Sequence, residues 1–111
     1  MNNWTKSLDC AVTVCDRDGI IIYMNDKSAH TWAKQGGDSL IGKSLFGCHG
    51  QRSTEIIHRL MQTGESNTYT VEKNGVKKLI YQTPWFENGK VAGMVEFSIV
   101  LPAEIPHYVR K

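Results

Sequence analysis

From Ala11 to Cys15 apolar and polar positions alternate, with Val12 and Val14 on one face, and this β-branched run predicts a strand. Asp16-Arg17-Asp18-Gly19 then turns the chain. An aspartate at the turn's start can accept from the backbone two residues on, and Gly19 takes a positive φ at no steric cost. Ile20 to Met24 should therefore return as the second strand of a hairpin.

Helical spacing takes over after Met24. Asn25 and Asp26 are good N-caps for a segment running to about Ala33, which Gly36-Gly37 ends. A second short helix is expected from Asp38 to about Gly42, turning Leu40 and Ile41 inward. Ser53 to Thr63 is the clearest helix, with Ser53 as its cap, Glu55 in its first turn and Gly64 after its last. Ile56, Ile57, Leu60 and Met61 make its apolar stripe; Glu55, His58, Arg59 and Gln62 make the polar one, so His58 should face solvent.

Alternation then returns. Thr68 to Lys73 and Val76 to Thr83 flank Asn74-Gly75, the strongest short hairpin signal, and Pro84 should end regular pairing because it donates no hydrogen bond. Asn88-Gly89 leads into Val91 to Val100, where Val91, Gly93, Val95, Phe97 and Ile99 share one face and Ala92, Met94, Glu96 and Ser98 the other. Five strands should form one antiparallel sheet, an α+β arrangement with short helices and one longer one.

Composition narrows the class. At 111 residues, 41% of them hydrophobic, 22% charged and three of them proline, the chain can bury a single core and shows no disordered signature. Its net charge of +2 is spread along the chain without a basic stripe, which argues against a nucleic-acid partner. Its apolar runs fall far short of the roughly 18 residues of a membrane span, and Met1 to Leu8 lack a signal peptide's apolar core, so a cytoplasmic location is expected. Cys10, Cys15 and Cys48 are odd in number and lack C-x-x-C spacing, against a disulfide framework or a zinc knuckle. They read as small buried hydrophobes. Trp32, Trp85, Phe86, Tyr69 and Tyr81 read first as core or edge packing, with a ligand pocket as the functional alternative, while Met24, Met61 and Met94 read equally as core gap filling or as an adaptable apolar pocket.

The stretch from about Leu8 to Leu101 resembles a PAS domain. The likeness is carried by Asp16-Arg17-Asp18-Gly19 between the first strands, Asn25 after the second, Gly42 before the connecting loop, Gly64 after the long helix, and Asn88-Gly89 with Gly93 at the last hairpin. It implies a domain over residues 10–101, with an N-terminal cap segment over 1–9 and a C-terminal tail over 102–111. It also implies a sheet with the long helix packed on one face, a small-molecule or cofactor site between them, and pairing with a second copy. Leu45-Phe46-Gly47-Cys48-His49-Gly50 is similar to a subgroup that carries Cys-His-Pro here, with Gly50 in place of proline. Cys48 and His49 could ligate a metal or contact a ligand's polar group, and the structural alternative is loop packing.

Cofactor motifs do not transfer. Laid over Gly42, the reactive cysteine of flavin-binding relatives falls on Leu45, and the early long helix, where haem sensors place an iron ligand, reads Ser53-Thr54-Glu55. Haem would have to use His49 or His30. With no catalytic triad, carboxylate pair or phosphate loop, an enzyme is not expected. The favoured expectation is a sensory, signal-transducing module whose ligand lies against Ile57, Leu60 and Met61, with Tyr81 and His49 at the polar ends. The alternative is a ligand-free interaction module. Pro102 and Pro106 disfavour a continuing signalling helix, so the chain is expected either to act through a partner protein or homodimer or to be a piece of something longer.

Overall fold

In a computed structural model, which describes residues 3–47 and 50–111, five strands form one sheet: β1 (Ala11–Asp16), β2 (Ile21–Met24), β3 (Asn67–Lys73), β4 (Val76–Glu87) and β5 (Lys90–Val100). Their spatial order is β2-β1-β5-β4-β3, and each neighbouring pair is antiparallel. The helices are α1 (Asp26–Thr31) and α2 (Gln51–Thr63), joined by short 3-10 turns over Ala33–Gln35, Gly37–Leu40 and Leu45–Gly47.

The turn chemistry fits the sequence. Asp16 Oδ1 accepts from Asp18 and Ile20 N–H at 2.9 and 3.0 Å. Asn74-Gly75 and Asn88-Gly89 take positive φ at both residues, the twist-matched hairpin geometry. Asn25 caps α1 and does more. Fully buried, it accepts from Val12 N–H and Ser28 N–H, and donates to the Thr5 and Cys10 carbonyls. One side chain thus ties the N-terminal segment, β1 and α1 together.

Four local expectations are corrected. Helix α2 begins at Gln51 behind Gly50, and among the described residues no side chain caps it, so Ser53 sits inside its first turns. Ile41 is 43% exposed, because the Gly37–Leu40 turn ends as soon as Leu40 is buried. Trp4 and Leu8, four apart, are spaced for a short helical cap, but their segment forms hydrogen-bonded turns instead, with Lys6 and Leu8 N–H bonded to the Asn3 and Thr5 carbonyls. Pro84 does not end β4, since it is buried and pairs with Met94. There β3 has already stopped, opposite Gln82, so β4 is an edge on that side, where a strand proline is tolerated.

The core lies between the sheet and the helical layer. Ile57 and Leu60 of α2 pack on Cys15 and Met94, while Ile21, Met24 and Leu40 form a second cluster beside Trp32. Helix α2 therefore crosses the sheet's concave face over β5 and β4. At its end Gly64 is left-handed, and its N–H bonds the Leu60 carbonyl at 2.8 Å.

Candidate functional site

Strand register sorts the concave face into rows. One row is apolar: Ile21, Cys15, Met94 and Pro84 lie side by side, with α2 packed on Cys15 and Met94. The next crosses all five strands as Met24, Thr13, Glu96, Gln82 and Asn67, and is mostly polar. Thr13 Oγ1 is 2.5 Å from Ser28 Oγ on α1. Gln82, only 4% exposed, donates from Nε2 to Glu96 Oε1 at 2.9 Å and accepts from Asn67 Nδ2 at 3.1 Å. A hydrogen bond to a charged partner contributes about 1.5–3 kcal/mol, so this row is held rather than loosely placed.

Two hollows meet at this row. The inner one, lined by Ile21, Met24, Trp32, Leu40 and Leu45 with Glu96 and Thr13, has a volume of only about 20 Å³. That is space for about one water. The outer one is a cleft of about 350 Å³ between α2 and β3–β4, lined by Arg52, Ser53, Ile56, Asn67, Tyr69 and Gln82. Gln82 separates them, lining the cleft while bonding Glu96 behind it. The electrostatics agree: burial, and next the Glu96 charge, push the Tyr69 phenol above its ordinary range. Burial likewise raises the Cys15 thiol and leaves it a core hydrophobe. A larger hollow of about 500 Å³ near Lys27 and Lys78 is polar, and Lys27 there is already paired with Asp9 at 2.9 Å.

The residues expected to bind a ligand are divided. Ile57 and Leu60 lie on the predicted face of α2 but are packed solid against the sheet, with Met61 half-buried beside them; none of the three lines the cleft. Their helix neighbour Ile56 does. Tyr81 is a correction. It pairs with Phe97 on the opposite, outer face, because the register that turns Ile80 and Gln82 inward sends Tyr81 out. Its phenol is shifted down by hydrogen bonding to Ser66 and then Thr83. Cys48 and His49 lie outside the described residues. His30 is exposed on α1, and His58 is exposed on α2 with its ring stacked on Phe46 at 4.3 Å, so neither reaches the cleft. Among the described residues no cluster of three His, Cys, Asp or Glu side chains could hold a metal ion.

Asn67, Gln82, Glu96 and Arg52 were missed as site residues. A signal existed. Glu96 shares a β5 face with Met94, and an acid on the helix-covered face of a sheet marks either a partner or a function.

The chain belongs to the PAS fold family, whose model matches residues 5–102. Solved structures agree on the fold. VqmA bound to DPO superposes with a TM-score of 0.73 at 18% identity, covering 90% of this chain and 55% of that one. A sensory box sensor histidine kinase from Vibrio cholerae gives 0.68 at 12%, covering 89% and 87%. The Aer2 receptor from Vibrio cholerae, a dual PAS-haem oxygen sensor, gives 0.63 at 14%, covering 84% and 95%. This chain thus spans about half the length of VqmA. No curated protein sequence matches it. Among the described residues no helix is long and apolar enough to cross a membrane.

Proposed function

We propose that this PAS domain is a sensory module that acts by binding rather than catalysis, taking a small molecule into the cleft between α2 and β3–β4. The observation that carries the reading is the cleft itself, about 350 Å³ of open space floored by the buried Gln82 amide. Concave sites with a few convergent polar groups are the usual form of a small-molecule pocket. Structures of similar fold include one bound to DPO and one haem oxygen sensor, so the fold accommodates ligands elsewhere. Occupancy would bias how α2 sits on the sheet, and the outer sheet face would pass this on to a partner or a second copy.

A second reading, a ligand-free interaction module, is favoured by the inner cavity, which the protein's own side chains nearly fill. The outer face offers a matching surface, a groove of about 690 Å³ along Trp4, Val14, Tyr23, Val95 and Phe97. A fragment screen by two-dimensional amide NMR on the full chain separates the two. Saturable shifts at Asn67, Tyr69 and Gln82 support the sensor, and a library without any cleft binder overturns it.

A further inference from the structure

The row that floors the cleft has a direction, and charge sets it. A carboxylate only accepts, so Gln82 has to turn its Nε2 toward Glu96, where the 2.9 Å bond is found. Its Oε1 then faces Asn67, which has to present Nδ2 in turn, at 3.1 Å. Gln82 turned over would set its Oε1 against the carboxylate and its Nε2 against Asn67 Nδ2, and Asn67 turned over would set oxygen against oxygen. The consequence is more spare lone pairs than spare N–H groups along the row, since each amide nitrogen keeps only one unused N–H. Gln82 Oε1 keeps a lone pair, and among the described residues neither Asn67 Oδ1 nor Glu96 Oε2 makes a hydrogen bond. Glu96 is felt in the cleft, since its charge contributes to the raised ionisation of Tyr69.

Resting on the ligand-binding reading above, we infer that the cleft selects a small molecule presenting N–H donors, an amidine, amine or ring N–H, to Gln82 and Asn67. Glu96 is the positioning residue that sets this preference, acting through the orientation of Gln82. Arg52 does not reverse it. That guanidinium stands on the exposed first turn of α2, where water and salt screen its pull on an anion, whereas Gln82 is almost wholly buried.

Benzamidine and benzoate test this, because they share shape and size but offer only donors and only acceptors respectively. Titrated into the ¹⁵N-labelled full chain, benzamidine should saturably shift the amides of Asn67, Gln82 and Glu96, with at least tenfold higher affinity than benzoate. Glu96→Gln, whose amide can accept or donate, frees Gln82 to turn over and should cut that ratio at least fivefold. Equal affinities, tighter benzoate, or no shift at those amides with either probe overturns the inference. An unchanged ratio in a folded E96Q removes Glu96 from its role, and if E96Q does not fold the wild-type pair of titrations decides alone. The sensor reading fails separately, on a screen in which no fragment of any chemistry enters the cleft.

Discussion

The Trp85 indole donates to the Cys15 carbonyl at 3.0 Å, reaching from β4 to β1 across the strand between them. What lets it through is Gly93 on β5. A Cβ built there would lie 2.0 Å from that carbonyl oxygen and 2.6 Å from the indole nitrogen. Gly93→Ala should therefore cost about 2–3 kcal/mol, part overpacking and part the lost hydrogen bond. Urea unfolding followed by tryptophan fluorescence measures it. A loss under about 0.5 kcal/mol would mean that the indole and strand move aside freely.

Asn25 should be as sensitive, for a different reason. Its four hydrogen bonds satisfy buried backbone groups of three segments, so Asn25→Ala strands them and should cost about 3 kcal/mol. Asn25→Asp keeps both accepted bonds but turns oxygen lone pairs toward the Thr5 and Cys10 carbonyls. It too should destabilise, by more than about 1 kcal/mol. An aspartate variant as stable as wild type would show that the donated pair is dispensable.

Ile56→Trp should fill the cleft and abolish fragment shifts at Tyr69 and Gln82. Because Ile56 is only half-buried, stability should stay within about 1 kcal/mol. Met61→Trp, at a site equally half-buried but outside the cleft, should leave those fragment shifts in place. Retained fragment binding in I56W would move the site away from α2.

Cys15 predicts an alkaline limb of stability. Burial, its largest cause, raises the thiol's ionisation above the ordinary value, so the neutral form is favoured in the folded state. The contribution is fully present below the unfolded thiol's pKa and is lost as pH rises through the higher folded value. Cys15→Ala should flatten this limb in denaturation curves taken from pH 8 to 11. In site-resolved alkylation of the native protein at pH 8, Cys15 should label far more slowly than half-exposed Cys10. Equal rates would contradict the burial.

The outer face yields a prediction for the interaction reading. Val95 and Phe97 line its groove, and Tyr81 stacks beside Phe97 with ring centroids 6.5 Å apart. If that face joins two copies, Phe97→Asp should convert a dimer to a monomer in sedimentation velocity, since it would bury an unpaired charge. A dimer surviving the change places the interface elsewhere.

Local chemistry made much of this protein legible from its residues. Asx turns, Asn-Gly hairpins, the Asn25 cap, the Gly64 terminus and the stripe of α2 depend on contacts within a few positions of chain, and each appears where the spacing implies. Pro84 misled because its effect depends on whether a neighbouring strand is present, which no local pattern records.

The site itself was a tertiary decision. Alternation along β5 separates Met94 and Glu96 from Val95 and Phe97, but which set meets the helices depends on where α1 and α2 land. They cover the more polar set, leaving the apolar one to the outer groove. Only the order β2-β1-β5-β4-β3 brings Glu96, Gln82 and Asn67 abreast, from positions up to 29 apart in the chain, and only their register sends Tyr81 away from them. The period of a strand states which side chains share a face; the packing of another element onto that face decides what the face is for.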